Sequence, residues 1–379
     1  MNGWFSGIGA LPDRVEGVLR PLRQRLVRDR VNIAPPAHVI EADAEEANVT
    51  LVLSPKGTGA LTAQLADGTA LGGNLRGSGA VDWQASRLSQ PARVASGTQS
   101  VIAGGTNNQA SAIGSAVGGG ANNIATSNYA VVGGGIGNTA SASQAVVAGG
   151  DSNTAGATQS FVGSGFLNNT SGNQSVIGGG NGHQATGANS FIGGGSNNRA
   201  NAAHSTIPGG DQASARSIIG RFAYASGVFA SALPGVAQYA LGVFRRETTT
   251  ATPIVLTSNE SAAAATNITA LPDSGLYAFS ARVVCIQSAG TAGAVRDSKA
   301  WTVVGAIKRG TSAAATALLG TPAVTVLGAD TNLGTDNSTG ATIAVSADTT
   351  NGGLIITVTG QANKTLRWVA TIETTEVVL

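Results

Sequence analysis

The sequence predicts an all-β protein: a homotrimeric shaft of parallel β-rolls, a short N-terminal helix and a C-terminal antiparallel β-sandwich. Three observations carry that prediction. Cut every fifteen residues, Ser100–Ile219 aligns with itself eight times, with starts at Ser100, Ser115, Ala130, Ala145, Ser160, Ser175, Ser190 and Ser205. Within those copies position 6 is always Gly and position 3 always Ile or Val. After residue 246 the repeat is gone, and short alternating apolar runs separated by turn residues take its place. A strict short period means stacked coils, none of which can bury a face alone.

The chain divides at 1–31, 32–99, 100–219, 220–246 and 247–379. In the first segment Leu11, Val15, Val18, Leu22 and Leu26 fall at helical spacing, with Pro12 suited to a first turn and Pro21 set to kink the helix. Arg14, Arg20, Arg23, Arg25, Arg28 and Arg30 make it strongly basic, and the expectation is a docking helix. It lacks the pattern of a secretory signal, and no stretch is apolar for the length of a membrane span. Residues 32–99 read as a β-rich collar, in which Trp83 is expected in the core.

In the shaft, positions 1 to 4 are small, apolar, β-branched and then Gly or Ala, so the strand is greasy on both sides. Positions 10 to 14 alternate small with polar, as a strand with one covered and one wet face does. The glycines at 5 and 6 and the Asn at 9 are expected at bends that need positive φ. One side of the first wall can face the coil's own interior; the other needs a neighbour, and the chain supplies no second array. The Ile/Val column is therefore expected to be covered by sister chains, with three about an axis as the economical closure. His183 and His204 are expected to be solvent-facing substitutions. Eight coils at a strand spacing of about 4.8 Å give a shaft on the order of 40 Å long.

Residues 220–246 read as a neck with Phe222, Phe229 and Phe244 in its core. Beyond it, strands are expected at Pro253–Thr257, Gly275–Gln287, Lys299–Lys308, Ala323–Leu327, Ala341–Ala347, Leu354–Thr359 and Leu366–Val378. Tyr277, Phe279, Ala281, Val283 and Cys285 share one face of the longest, and Asn351-Gly352 marks a hairpin. These strands without a helical period indicate a sandwich.

Composition narrows the function. A net charge of +2 spread over 379 residues argues against nucleic acid as a partner. The lone Cys285 lies in an apolar run and reads as a buried thiol. The three histidines, His38, His183 and His204, all lie upstream of residue 247, so neither a Ser-His-Asp site nor a zinc site is expected in the last domain. No cofactor is expected. Carboxylates at Asp273, Asp297, Asp330, Asp336 and Asp348 lie in or near loops, where two subunits could bring a pair together for sugar hydrolysis. The expectation is that the chain is not an enzyme. Asp330, Asn332, Asp336 and Asn337 are instead the candidate receptor-binding residues, by loop position and polarity.

The recurring S-V-I-G-G-G-x-N-x-x-A pattern resembles the head repeats of trimeric autotransporter adhesins and the similar repeats of bacteriophage tail fibres. The strings N-V-T-L-V-L-S-P-K-G-T-G-A from Asn48 and G-G-N-L-R-G-S-G-A-V-D-W-Q from Gly72 resemble the segment that precedes such repeats in phage fibres. The runs A-W-T-V-V-G-A-I-K-R from Ala300 and W-V-A-T-I-E-T-T-E-V from Trp368 resemble C-terminal domains of those fibres. The resemblance implies a virion tail protein, trimeric, joined to the tail or an adaptor through 1–31 and the collar. Its tip would engage a glycan or protein on the bacterial surface. A bacterial trimeric adhesin and a capsule-degrading tailspike are the alternatives.

Overall fold

The structure is a computed structural model that describes residues 61–62, 68, 73–88, 90–229 and 234–379. The expected N-terminal docking helix and His38 lie outside the described residues. Among the described residues the chain is all-β, with two single 3-10 turns at Ala313–Ala315 and Thr331–Leu333.

Each fifteen-residue coil contributes two short strands. Positions 2–3 form one parallel stack, from Val101–Ile102 to Thr206–Ile207, and positions 10–11 form another, from Gln109–Ala110 to Arg199–Ala200. Position 7 bridges coil to coil along a third line, from Thr106 to Asp211. Every pairing is between residues fifteen apart, so like stacks on like (Val131 on Ala116, Val146 on Val131).

The direction of the backbone amides explains where left-handed residues fall. In the coil from Ala130, the N–H groups of Val131, Gly133, Ile136, Thr139 and Ser141 donate to the following coil. Those of Gly137 and Gln144, at positions 8 and 15, donate to the preceding one. Both have positive φ, 65° and 58°, which turns the peptide over and reverses its N–H. Position 6 also has positive φ, and a Cβ on Gly135 would lie 2.1 Å from the carbonyl oxygen of Gly150. Glycine is fixed there by both conformation and contact.

Asn at position 9 has a different role from the one its residue type suggests. It is buried and its φ is not positive. Asn123 Nδ2 donates to Gly119 O at 2.9 Å and Gly135 O at 2.8 Å, while Asn123 Oδ1 accepts from Asn138 N–H at 3.0 Å. Repeated at Asn108, Asn138, Asn153, Asn168 and Asn198, this makes a carboxamide ladder through the shaft. His183 occupies one rung and is buried, which corrects the solvent-facing expectation; His204 is exposed as expected. The His183 Nδ1 accepts from Asn198 N–H at 3.1 Å, so the neutral imidazole carries its proton on Nε2. Nε2 faces the Gly195 carbonyl without a well-formed hydrogen bond. Burial holds this imidazole below its ordinary 6.5.

The Ile/Val column lines the interior of its own coil and is 0% exposed in the single chain. This corrects the expectation that sister chains cover it. The column that faces outward is position 2: Val101, Ala116, Val131, Val146, Phe161, Val176, Phe191 and Thr206.

Stacking does not begin at Ser100. Val81–Asp82 pairs with Val101–Ile102, and Leu61–Thr62 pairs in turn with Val81–Asp82. Trp83 is 44% exposed, against its expected core placement. Asp82 takes the interior place of the Ile/Val column and is held by Arg76 at 2.9 Å and Arg87 at 3.1 Å. Gln84 supplies the missing lowest rung: its Oε1 accepts from Asn108 N–H at 2.8 Å. The other end is closed in the same manner. Gln238 Oε1 accepts from Ser214 N–H at 2.9 Å and its Nε2 donates to Ser214 O at 3.0 Å. The buried Glu376 carboxylate receives Arg221, Arg216 Nε at 3.2 Å, Gln238 Nε2 at 2.8 Å and Thr374 Oγ1 at 2.6 Å. Burial pulls the Arg221 guanidinium down to about 10, still charged at neutral pH.

From here strands are numbered β1 Phe222–Ser226, β2 Ala237–Thr248, β3 Pro253–Val255, β4 Thr269–Ala270, β5 Gly275–Gly290, β6 Ser298–Arg309, β7 Thr316–Leu318, β8 Ala323–Ala329, β9 Thr342–Asp348, β10 Gly353–Thr359 and β11 Lys364–Val378. In the neck β1 lies parallel to the last shaft strand and antiparallel to β2, so the sheet changes from parallel to antiparallel without a break. Phe244 is buried as expected, Phe222 is half-buried, and Phe229 is 60% exposed instead of in the core. The large sheet then runs β1-β2-β11-β5-β6, with β7 and β8 sharing the far edge of β6. A small sheet has β10 at its centre, β9 on one edge and β3 and β4 on the other. The core lies between the sheets, with Phe279, Val283, Trp301 and Trp368 from one and Ile343, Ile356 and Val358 from the other. Cys285 is buried and free, and burial pushes its thiol up to about 12.

Two outcomes follow. Folding favours neutral His183, so its contribution is full above pH 6.5 and is lost as pH falls below that value. His183→Asn restores the rung: it should add about 1 kcal/mol and flatten the difference in melting temperature between pH 7.5 and 5. At the upper closure, Glu376→Gln leaves buried arginines uncompensated and should cost about 3–5 kcal/mol in denaturant unfolding. Glu373→Gln, exposed on the same strand, should cost under about 0.5 kcal/mol.

Candidate functional site

The predicted receptor-binding residues lie together on one loop, carried from the end of β8 to the start of β9. Its shape is set by a residue that was not among the candidates. Lys299 enters β6 with the inward parity of Trp301 and Val303, so its side chain must go into the sandwich. Its Nζ donates to the carbonyls of Asp336 at 2.6 Å, Ala341 at 2.7 Å and Leu333 at 3.2 Å. It also lies 5.0 Å from the centroid of the Trp301 ring. The loop therefore wraps an ammonium, and burial lowers the pKa of that ammonium. The parity of a lysine in an apolar alternating strand was the available signal.

The four candidates divide by what they touch. Asn337 is turned inward: its Oδ1 accepts from Trp301 Nε1 and Ile343 N–H, both at 2.9 Å, and its Nδ2 donates to Ile343 O at 2.8 Å. It ties the loop to the core and offers nothing outward. Asp336 Oδ1 accepts from Ser338 N–H and hydroxyl at 2.8 and 2.7 Å, and from Thr339 N–H and hydroxyl at 3.0 and 3.2 Å. Those donors, Ser338 first, hold its carboxyl down at about 2. Asp330 Oδ2 accepts from Ser298 N–H at 2.7 Å. Asn332 Nδ2 donates to Asp297 Oδ2 at 2.9 Å, and the Ala294 amide followed by this Asn332 contact lowers the Asp297 carboxyl. Asp330, Asn332 and Asp336 are exposed and Asp297 is half-buried. Asp330 and Asp336 each bond through one carboxylate oxygen within the described residues and keep the other available as an acceptor.

Beside this loop an open cleft of about 570 Å³ is lined by Val284, Cys285, Ser298, Lys299, Ala300 and Leu327–Asp330. Leu327 and Val284 give it exposed apolar surface and Asp330 an exposed carboxylate. The other loop carboxylates serve their own loops or nearby cations: Asp273 pairs with Arg309 at 2.8 Å, and Asp348 caps the Asn351-Gly352 turn. Among the described residues no group of three or more His, Cys, Asp and Glu is arranged for a metal ion.

No known family profile matches the chain, and no curated protein is significantly similar to it. Solved structures do show a likeness. The tailspike protein of Acinetobacter baumannii phage AM24 matches at 11% identity and TM-score 0.21, over 73% of this chain and 53% of that one. The tailspike protein of Acinetobacter phage vB_ApiP_P1 matches at 11% identity and TM-score 0.19, over 74% and 62%. A third is tailspike gp49 of Acinetobacter baumannii bacteriophage Fri1, described as a capsular polysaccharide depolymerase: 7% identity, TM-score 0.20, over 80% and 71%. The chain thus spans a little over half the length of the first of these. The expectation that the chain is not an enzyme is withdrawn, because the proteins it resembles include a depolymerase. At these TM-scores the likeness assigns no activity to any residue here.

Lys299→Met should leave the loop carbonyls without their donor and open residues 334–341. Amide exchange at Ala341 and Ile343 should then rise roughly ten- to hundredfold, the equivalent of about 1.5–3 kcal/mol. Unchanged exchange would remove Lys299 from the account. Acidification supplies a second arm: Asp336 orders its turn fully above its ordinary 3.8, and that order is lost as pH falls through about 2.

Proposed function

We propose that this chain is a homotrimeric tail spike or fibre of a phage virion, attached through residues 1–31 and the collar, with its last domain turned to the bacterial surface. The observation that carries the reading is the outward apolar column at position 2 of a coil that has already sealed its own interior. A stack of coils greasy on one outer side is built to lie against others of its kind. The fifteen-residue repeat and its resemblance to phage fibre shafts support the viral assignment.

The receptor would be a surface glycan, met by Asp330, Asn332 and Asp336, with Asn337 holding the loop in shape. Fixed carboxylate oxygens beside exposed apolar surface suit the hydroxyls and the apolar ring faces of a sugar. Three copies held by a stiff shaft turn weak single contacts into avidity through their preset spacing.

The test joins mass and binding. Full-length protein should sediment as a trimer and bind host capsule or lipopolysaccharide. Asp330→Ala with Asp336→Ala should weaken binding at least tenfold while the mass is unchanged. A folded monomer would remove the architecture, and unaltered binding would remove the site. New reducing ends released from the capsule would mark the protein as a depolymerase.

A further inference from the structure

The two outer faces of the sandwich are dressed differently. On the small sheet the outward side chains are mostly Thr, Ser and Ala, with Val255 and Ile355 half-buried, and none is an exposed large apolar side chain. On the large sheet, Val243, Val369, Val284, Ile286 and Val304 are all between 40% and 55% exposed, with Leu327 at 62%. A free antiparallel sandwich keeps both outer faces polar, and a contiguous apolar patch on one marks an interaction surface.

The register shows what this face continues. Directly partnered residues point to the same side of a sheet, and Thr206 of the shaft's outward column is partnered by Phe222. Phe222 is partnered by Leu241, Leu241 by Glu373, Glu373 by Ser280 and Ser280 by Val304. The outward column of the shaft and the bare face of the large sheet are therefore one side of one hydrogen-bonded sheet. Across its centre Val369, Val284 and Ala300 lie side by side, with Arg282 and Glu373 flanking them. A face that carries both signs of charge and an apolar middle is self-compatible. A second copy in parallel offers the same steps at the same spacing along its whole length.

We propose that the bare face of the large sheet is where the tips of sister chains pack on one another. The tips form one joined body instead of three separate heads, and the receptor surface is confined to the loops, the small sheet and the cleft at the margin of the contact. The inference rests on the trimer reading and adds the location of the contact. The cleft between Val284, Ala300 and Leu327 then lies at the margin of the contact, where a sister chain would form its open wall.

Hydroxyl-radical footprinting of the full-length protein, with its mass measured in parallel, tests this. Val243, Val284, Ile286 and Val369 should label several-fold more slowly than Val295 of the same chain, which is exposed on the loop between β5 and β6. Val284→Asp with Val369→Asp should raise labelling at Val243 and Ile286 while the shaft keeps the trimer mass. A trimer whose bare face labels as fast as Val295 would overturn the inference and leave the trimer standing. A monomer would overturn both.

Discussion

Close stacking of one backbone on the next is the constraint to which the rest of the structure answers. Of the backbone amides that bond between coils, most donate to the following coil and a few to the preceding one, and the left-handed residues at positions 8 and 15 sort the two directions. Glycine at position 6 lets carbonyls approach within a distance that any Cβ would occupy. The narrow interior that results takes one Ile or Val, a small residue at positions 1 and 11 and, in most coils, one carboxamide, with His183 in its place in one of them. The carboxamide is the component that reads the spacing. It bonds to its own coil and to the following one, so its geometry is satisfied only at a single rise.

A stack of this kind has two open ends, each exposing backbone groups that invite further strands. Both ends of the carboxamide ladder are finished by the same chemistry. A glutamine takes the place of the next asparagine, Gln84 below and Gln238 above, and a buried ion-pair cluster takes over from the apolar column. At the upper end the carboxylate comes from Glu376, near the end of the chain, so the shaft is not finished until β11 is in place. Closure of the shaft thus depends on a strand of the sandwich.

Much of this was legible. The coil length, the buried Ala column and the turn glycines follow from the fifteen-residue period. The sandwich strands follow from alternation, down to the shared face of Tyr277 to Cys285. The strand β2 was hidden because Gly242 and the Arg245-Arg246 pair interrupt its pattern, so it read as a neck. Asn at position 9 was misassigned because the residue type that accepts positive φ also makes a ladder, and composition does not separate the two. His183 inherited the same error. At the site, Asp330, Asn332 and Asp336 were found by loop position, whereas Asn337 turned inward and Lys299, the residue that shapes the loop, was overlooked despite its inward parity.

What the sequence determined alone is whatever depends on periodicity. A repeat in which the same residue recurs every fifteen positions can stack only on itself, and an alternating strand can present only two faces. Which face met water was decided in three dimensions. Position 3 and position 2 are both apolar, and only the closed coil shows that the first is sealed within its own chain and the second is left outside. The same holds for the long path from Thr206 to Val304, where six strands share one side of a sheet. Hydrogen-bond register assigns that side, and register between remote strands is a property of the folded chain.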